Sequence, residues 1–191
     1  MRIFWLPLVV LMSGCGINAI PQLDEQVKAG WAQVENQYQR RADLIPNLVE
    51  TVKGFAAQER DVLVAVTEAR AQVNQMKVDG DLINDPAQLQ AFEAAQGQLS
   101  SALSRLMVVV ERYPDLKSNE NFLTLQAQLE GTENRISVAR RDYIAAVQGY
   151  NSEIRTFPGR IWHSLLYSDL ELRETFEATA ENAEQAPAVQ F

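Results

Sequence analysis

The chain has few of the residues on which many catalytic and metal sites depend. One cysteine and one histidine in 191 residues exclude an internal disulfide and a Cys/His zinc cluster. Nine glycines and seven prolines are too few for a turn-rich β-sandwich. The 25 Asp and Glu residues outnumber the 17 Lys and Arg residues, and phosphate binding requires a basic face. We therefore expect no metal, no cofactor and no nucleic-acid partner.

A long hydrophobic run is also missing, and the N-terminal apolar segment is short. Arg2 precedes an apolar run over 3–12, whereas a helix that spans a bilayer needs ~20 apolar residues. The run is therefore typical of a signal peptide. The five residues LMSGC that end at Cys15 resemble the bacterial lipobox, which implies cleavage before Cys15 and attachment of diacylglycerol and a palmitate-like acyl chain.

The prediction from these residues is a signal peptide over 1–14 and a protein that faces the periplasm, held at the bacterial cell envelope by lipid on Cys15. The outer membrane is the default destination in a Gram-negative cell. Two alternatives stay open. The segment 3–20 is a single-pass anchor that is not cleaved, although polar and helix-breaking residues interrupt it, or an ordinary signal peptidase releases the protein.

Apolar residues recur at alternating steps of four and three from Val27 to Met76. This 3.5-residue repeat is typical of a left-handed helical seam. It continues through Pro46 without a change of register, so we predict one helix over 24–77, about 80 Å long and bent at Pro46.

Two further helices have clear start signals. Asp85 and Pro86 are residue types favoured at an N-cap and at a first helical position, and we expect a helix over 86–112. Asn119 is expected to cap a third helix that ends near Phe157, because proline and glycine follow it.

The predicted fold is all-α: an up-and-down bundle of long antiparallel helices, similar to a four-helix bundle, with left-handed heptad seams over 24–159. Residues 15–23 are interpreted as an anchor and linker. Residues 160–191 are interpreted as a C-terminal segment with a short helix around Asp169–Asn182 and a loose tail.

The first predicted helix is longer than the other two, which leaves part of its seam without a partner. Trp31, Val34 and Tyr38 are therefore a candidate partner surface. We expect one of three solutions: the chain folds back near Pro46, the C-terminal segment covers the seam, or the protein associates with itself or with another protein.

Two charged residues, Arg41 and Glu59, occupy seam positions. They are about 27 Å apart along one helix and cannot pair within it, so Glu133 and Arg140 are candidate partners from elsewhere in the chain. The four residues form a candidate polar layer that fixes helix register or the choice of partner. In the alternative interpretation, Arg41 extends to the surface and Glu59 lies where the bundle is thin.

The remaining candidates for chemistry are weak. His163 is the sole histidine, and no sequence pattern places a nucleophile beside it, so we assign no catalytic residue. No phosphate-binding glycine motif is present. Trp162, Leu165, Leu166 and Tyr167, together with Arg160, either form a membrane-interface patch or pack against the core.

Three stretches resemble the LemA family of bacterial membrane-associated proteins: QRRADLIPNLVETVKGFA (39–56), YPDLKSNENFLTLQAQLEGTENRISVARR (113–141) and YNSEIRTFPG (150–159). The closing APAVQF resembles the family's usual C-terminus. The resemblance implies a four-helical bundle held at a membrane by its N-terminus, and it carries no established catalytic activity. Many members have an uncleaved N-terminal transmembrane helix, from which the lipobox-like segment departs.

Together these features favour a membrane-anchored envelope protein that is not an enzyme and that serves as a scaffold or adaptor through helix–helix binding. An alternative is a periplasmic carrier, in which an apolar cavity between helices holds a hydrophobic ligand. Another is an enzyme with an unrecognised carboxylate site, which would require a cleft lined by convergent carboxylates.

Overall fold

The computed structural model describes residues 16–76 and 82–176. These residues form α-helices joined by short turns, and the predicted all-helical bundle is confirmed. The elements are α1 (Ala19–Phe55), α2 (Arg60–Gln75), a 3₁₀ turn (Leu82–Asn84), α3 (Pro86–Val110), α4 (Pro114–Lys117), α5 (Glu120–Arg155) and α6 (Gly159–Leu166).

Local start signals were reliable. The Asp85 carboxylate accepts hydrogen bonds from the backbone N–H groups of Ala87 and Gln88, at 2.9 and 3.2 Å. The Asn119 side chain accepts one from the N–H of Phe122, at 3.1 Å. Both caps satisfy helix N–H groups that would otherwise lack a partner, so α3 and α5 begin where the sequence predicted.

Pro46 lies inside α1, as predicted, with helical residues on both sides. The single helix over 24–77 is wrong, because α1 ends at Phe55 and the chain turns back before α2 begins at Arg60. The guanidinium Nε of Arg70 donates to the backbone carbonyl of Ala42 at 2.8 Å, so α2 lies antiparallel against α1.

The heptad spacing did not reveal this turn because both arms of the hairpin face one core. Val52 is the last buried seam residue of α1, and Ala56 then takes the buried position while Phe55 is exposed. Leu63 and Val66 resume the core in α2. A four-residue turn therefore keeps the spacing of a continuous helix.

The bundle is built from two helix pairs, in which α1 packs along α5 and α2 packs along α3. A Cβ atom at Gly30 would lie 3.3 Å from the Cα of Tyr143, so this glycine permits close approach of α1 and α5. The bundle begins at Ala19, so the linker interpretation is wrong for residues 19–23, where Ile20 is fully buried in the core.

The short C-terminal helix is α6, and the helix predicted around Asp169–Asn182 is wrong over the described residues up to Phe176. The helix restarts early because Gly159 brings α6 against the end of α5: a Cβ there would overlap the backbone carbonyl oxygen of Glu153. Residues 170–176 then cross the bundle without helical structure, and we call them the strap.

The predicted signal peptide and Cys15 lie outside the described residues. Within the part of the chain that the structure describes, no helix is both long enough and apolar enough to cross a membrane.

Candidate functional site

The candidate partner surface on α1 is buried. Trp31, Val34 and Tyr38 are core residues, covered by other parts of the same chain. The Trp31 ring centre lies 5.7 Å from that of Phe92 in α3 and 5.5 Å from that of Tyr143 in α5. The strap contributes Phe176, whose ring centre is 5.8 Å away. The seam is therefore covered, as expected, but it has no free area for a partner, so the partner-surface interpretation is wrong.

Arg41 lies in the core and joins three helices. It is 2% exposed. Its Nη1 donates to Glu133 Oε1 in α5 at 2.8 Å and to Ser100 Oγ in α3 at 2.9 Å. Its Nη2 donates to the Gln96 side-chain oxygen and, at 3.3 Å, to the Gln96 carbonyl. A side chain that forms hydrogen bonds with both α3 and α5 fixes the axial position of α1 relative to these two helices.

The counter-charge of Arg41 reaches solvent. Glu133 is half-exposed while it pairs with the buried guanidinium. Desolvation of the carboxylate is therefore incomplete, which lowers the cost of placing this ion pair in the bundle. The Tyr38 ring centre also lies 5.1 Å from the Arg41 guanidinium carbon, within range of a cation–π contact.

Arg140 forms a second ion pair beside the first. Its Nη2 donates to Glu93 Oε1 in α3 at 2.8 Å, and its guanidinium carbon lies 4.1 Å from the centre of the Phe176 ring. Its Nη1 is 3.5 Å from the Tyr38 hydroxyl. Burial raises the pKa of Tyr38, and Arg140 and Arg41 partly oppose that effect. Three of the four residues predicted for the polar layer thus lie around Tyr38: Arg41, Glu133 and Arg140.

Glu59 does not join this layer. It precedes α2 at the turn, where its carboxylate accepts from Tyr113 Oη at 2.8 Å and from Arg112 Nη2 at 3.1 Å. The turn that ends α1 carries Glu59 to the end of the bundle. Its placement in the polar layer is therefore wrong, and its contacts fasten the α1–α2 turn to the segment after α3.

A second buried charge was missed in the sequence. Asp24 is buried on α1, where Arg173 Nη2 of the strap donates to its Oδ1 at 2.6 Å and Lys28 Nζ lies 2.8 Å from its Oδ2. Arg173 also bonds to the side chain of Asn84. Asp24 lies three residues before Val27, at a position that continues the apolar seam. A carboxylate at a seam position indicates a buried charge, and the sequence could have revealed it in that way.

Side chains of α5 hold the backbone of the strap. Asn151 donates to the Arg173 carbonyl at 2.9 Å and accepts from its N–H at 3.0 Å. The Tyr143 hydroxyl donates to the Glu174 carbonyl at 2.8 Å, and the Tyr150 hydroxyl donates to the Glu171 carbonyl at 2.9 Å. Burial raises the pKa of both tyrosines, so they stay protonated as donors.

The one histidine of the chain contacts the strap. His163 Nε2 lies 2.8 Å from the carbonyl oxygen of Leu170, at the start of the strap. Trp162 and Tyr167 are half-buried against the core, whereas Leu165 and Leu166 are exposed. Over the described residues, no group of three or more His, Cys, Asp or Glu side chains is arranged to hold a metal ion.

The sequence model of the LemA family matches residues 30–191. The chain belongs to the LemA family. It is 30% identical over 166 residues to magnetosome protein MamQ 2 of Paramagnetospirillum magneticum. The aligned region covers 78% of this chain and 60% of the relative. It is 27% identical over 157 residues to magnetosome protein MamQ of Magnetospirillum gryphiswaldense, with coverage of 74% and 58%. The matches therefore span about 60% of the length of these curated relatives.

The region that matches the LemA family contains most of the site described above. It includes Arg41, Glu133, Arg140 and the strap with Arg173, whereas Asp24 precedes it. The polar layer and the strap therefore lie within a LemA-family domain.

The Asp24 pair predicts a pH-dependent contribution to the free energy of unfolding. Burial is the largest single effect and opposes ionisation of Asp24, but the hydrogen bonds from Lys28 and Arg173 and their positive charges together outweigh it and lower its pKa. A carboxyl with a lowered pKa stabilises the fold above its unfolded pKa of about 3.9, and that contribution is lost as the pH falls through the folded pKa. We expect Asp24→Asn to lower the free energy of unfolding by about 2 kcal/mol at pH 7. The difference between the variant and the wild type should become smaller below about pH 4.

Urea unfolding of the purified protein at pH 7 and at pH 3 measures this difference. Asp43→Asn is the matched control, because Asp43 is exposed on the same helix and should change the free energy of unfolding by less than about 0.5 kcal/mol. A deficit for Asp24→Asn that is equal at both pH values would contradict the assignment.

Proposed function

We propose that this LemA-family protein is a lipid-anchored scaffold or adaptor of the bacterial cell envelope, which acts by binding another protein and not by catalysis. Family membership and the magnetosome relatives support a membrane-associated role. The buried charged side chains form ion pairs with other residues of this chain, which supports binding over catalysis. Arg41 pairs with Glu133, Arg140 with Glu93 and Arg173 with Asp24, so these groups are engaged within the fold.

The observation that carries the proposal is a groove between α1 and α2. It has a volume of about 510 Å³ and is open to solvent. Val49, Leu63 and Val64 contribute apolar lining, and side chains of both charge signs also line the groove: Glu50, Lys53, Arg60 and Glu68. An open groove with both apolar and charged lining suits an amphipathic partner helix.

The groove is remote from the proposed anchor. Lipid on Cys15 would place the start of α1 at the membrane, and Val49 is 30 residues further along that helix than Ala19. At 1.5 Å per residue, the groove stands about 45 Å from the start of α1. A tether at one end and a binding surface near the other is the arrangement expected of an adaptor.

Site-specific photocrosslinking in the native membrane tests the proposal. A photoreactive amino acid replaces Val64 at the groove, which is 51% exposed, or Val138 on α5, which is 47% exposed and serves as the matched control. We expect one discrete protein adduct from position 64 and none from position 138, because only position 64 lines the groove.

The outcomes separate the alternatives. A small-molecule adduct at position 64 would favour the carrier. The same protein adducts at both positions would indicate random collisions and would contradict the adaptor proposal. Loss of the position-64 adduct after Thr67→Arg, which fills the groove from α2, would assign the contact to the groove itself.

A further inference from the structure

Helix α6 turns an apolar face to solvent. Phe157, Ile161, Leu165 and Leu166 are all exposed on or next to this short helix, whereas Trp162 packs toward the core. Four large apolar side chains within ten residues form a patch of a kind that soluble surfaces seldom carry without a partner.

The charge of this segment is opposite to that of the chain as a whole. Residues 155–168 contain Arg155 and Arg160 and no Asp or Glu, in a chain of net charge −8. Both arginines are exposed. An apolar face flanked by positive charge suits a surface that combines acyl chains with anionic headgroups.

The position of α6 favours a membrane surface as the partner of the patch. A Cβ atom at Gly16 would lie 3.9 Å from the Cγ of Pro158, so the residue that follows Cys15 lies near the residue that precedes α6. The apolar run and the lipobox-like cysteine therefore lead into the same end of the bundle as the patch. A membrane reached through Cys15 would meet α6 first.

We propose that α6 and Phe157 insert their apolar face into the membrane surface as a second attachment beside the Cys15 anchor. The inference rests on the proposed membrane tether, and it names the lipid surface as the partner of this patch. A single flexible attachment leaves a bundle free to tilt, whereas two neighbouring attachments fix its orientation. The α1–α2 groove would then be held away from the bilayer.

Photolabelling of lipid in the full-length protein tests this inference. A diazirine amino acid of leucine size replaces Leu165, which is 67% exposed on α6, or Val108, which is 71% exposed on α3. The full chain is photolysed in bacterial membranes and its adducts are identified by mass. We expect at least fivefold more phospholipid adduct at position 165 than at position 108. Replacement of Arg160 by Glu should reduce the adduct at position 165 at least twofold.

Equal phospholipid labelling at the two positions would overturn the inference. Adducts at position 165 with a second copy of this chain or with another protein would also overturn it, because they would assign the patch to a protein interface. Membrane flotation of the same samples reports on the tether separately. A chain that floats with the membrane but is not labelled at position 165 keeps its anchor and refutes only the role of α6.

Discussion

Replacing Arg41 by alanine is expected to lower the free energy of unfolding by about 3 kcal/mol, whereas the same change at Arg40 should alter it by less than about 0.5 kcal/mol. The two arginines are neighbours on α1 and differ in burial: Arg40 is exposed and Arg41 is buried. Alanine at position 41 leaves a void and removes the hydrogen bonds to Ser100, Glu133 and Gln96. Chemical denaturation of both variants measures the difference.

Two further variants separate volume from charge at position 41. Arg41→Met fills most of the space without the charge, so it should cost less than Arg41→Ala. Glu133→Gln keeps the shape of the acceptor, and the double variant with Arg41→Met gives the coupling energy of the ion pair. If Arg41→Ala and Arg40→Ala cost the same, Arg41 does not fix the helices as described.

Replacing Cys15 by alanine is expected to abolish incorporation of labelled palmitate and to leave the leader uncleaved. Lipoprotein processing attaches the lipid through the cysteine thiol, so alanine removes the site of attachment. Each buried methylene contributes about 0.8 kcal/mol, and several acyl chains hold a protein at a membrane without a spanning helix. Palmitate labelling and the intact mass of the membrane-bound form provide the measurement.

The control for this experiment is Met12→Leu. Leucine is the usual lipobox residue three positions before the cysteine, so this variant should retain label and cleavage. The wild-type mass should correspond to a chain that begins at Cys15 and carries lipid. A wild-type mass that begins at Met1, without lipid, would establish the uncleaved anchor in its place.

Features that depend on neighbouring residues were predictable from the sequence. Asp85 and Asn119 cap helices within three residues, so their role follows from residue type and position. The α1–α2 turn was not predictable from spacing, because Val52 and Val66 face one core from antiparallel helices. Periodicity reports which face is buried, and both arms of a hairpin bury the same kind of face.

The candidate site was predictable where a charge interrupts an apolar seam. Arg41 is such a residue, and Glu133, one of the candidate partners that the sequence offers, lies 2.8 Å from it. The pairing of Asp24 with Arg173 was not predictable, because 149 positions separate them and the strap has no periodic pattern. Its backbone is held by side chains of α5, and a single sequence does not show such long-range contacts.

The strap also makes the aromatic core around Trp31 depend on the last residue that the structure describes. Helices α1 and α2 pair across a four-residue turn and α2 packs along α3, whereas the contacts of α1 with α5 and of Trp31 with Phe176 join segments that are far apart in the chain. Contacts between distant segments form late because loop closure must come first. The aromatic core around Trp31 is therefore expected to close after the local pairing of α1, α2 and α3. A chain that stopped short of residue 176 would leave the aromatic core around residue 31 open on one side.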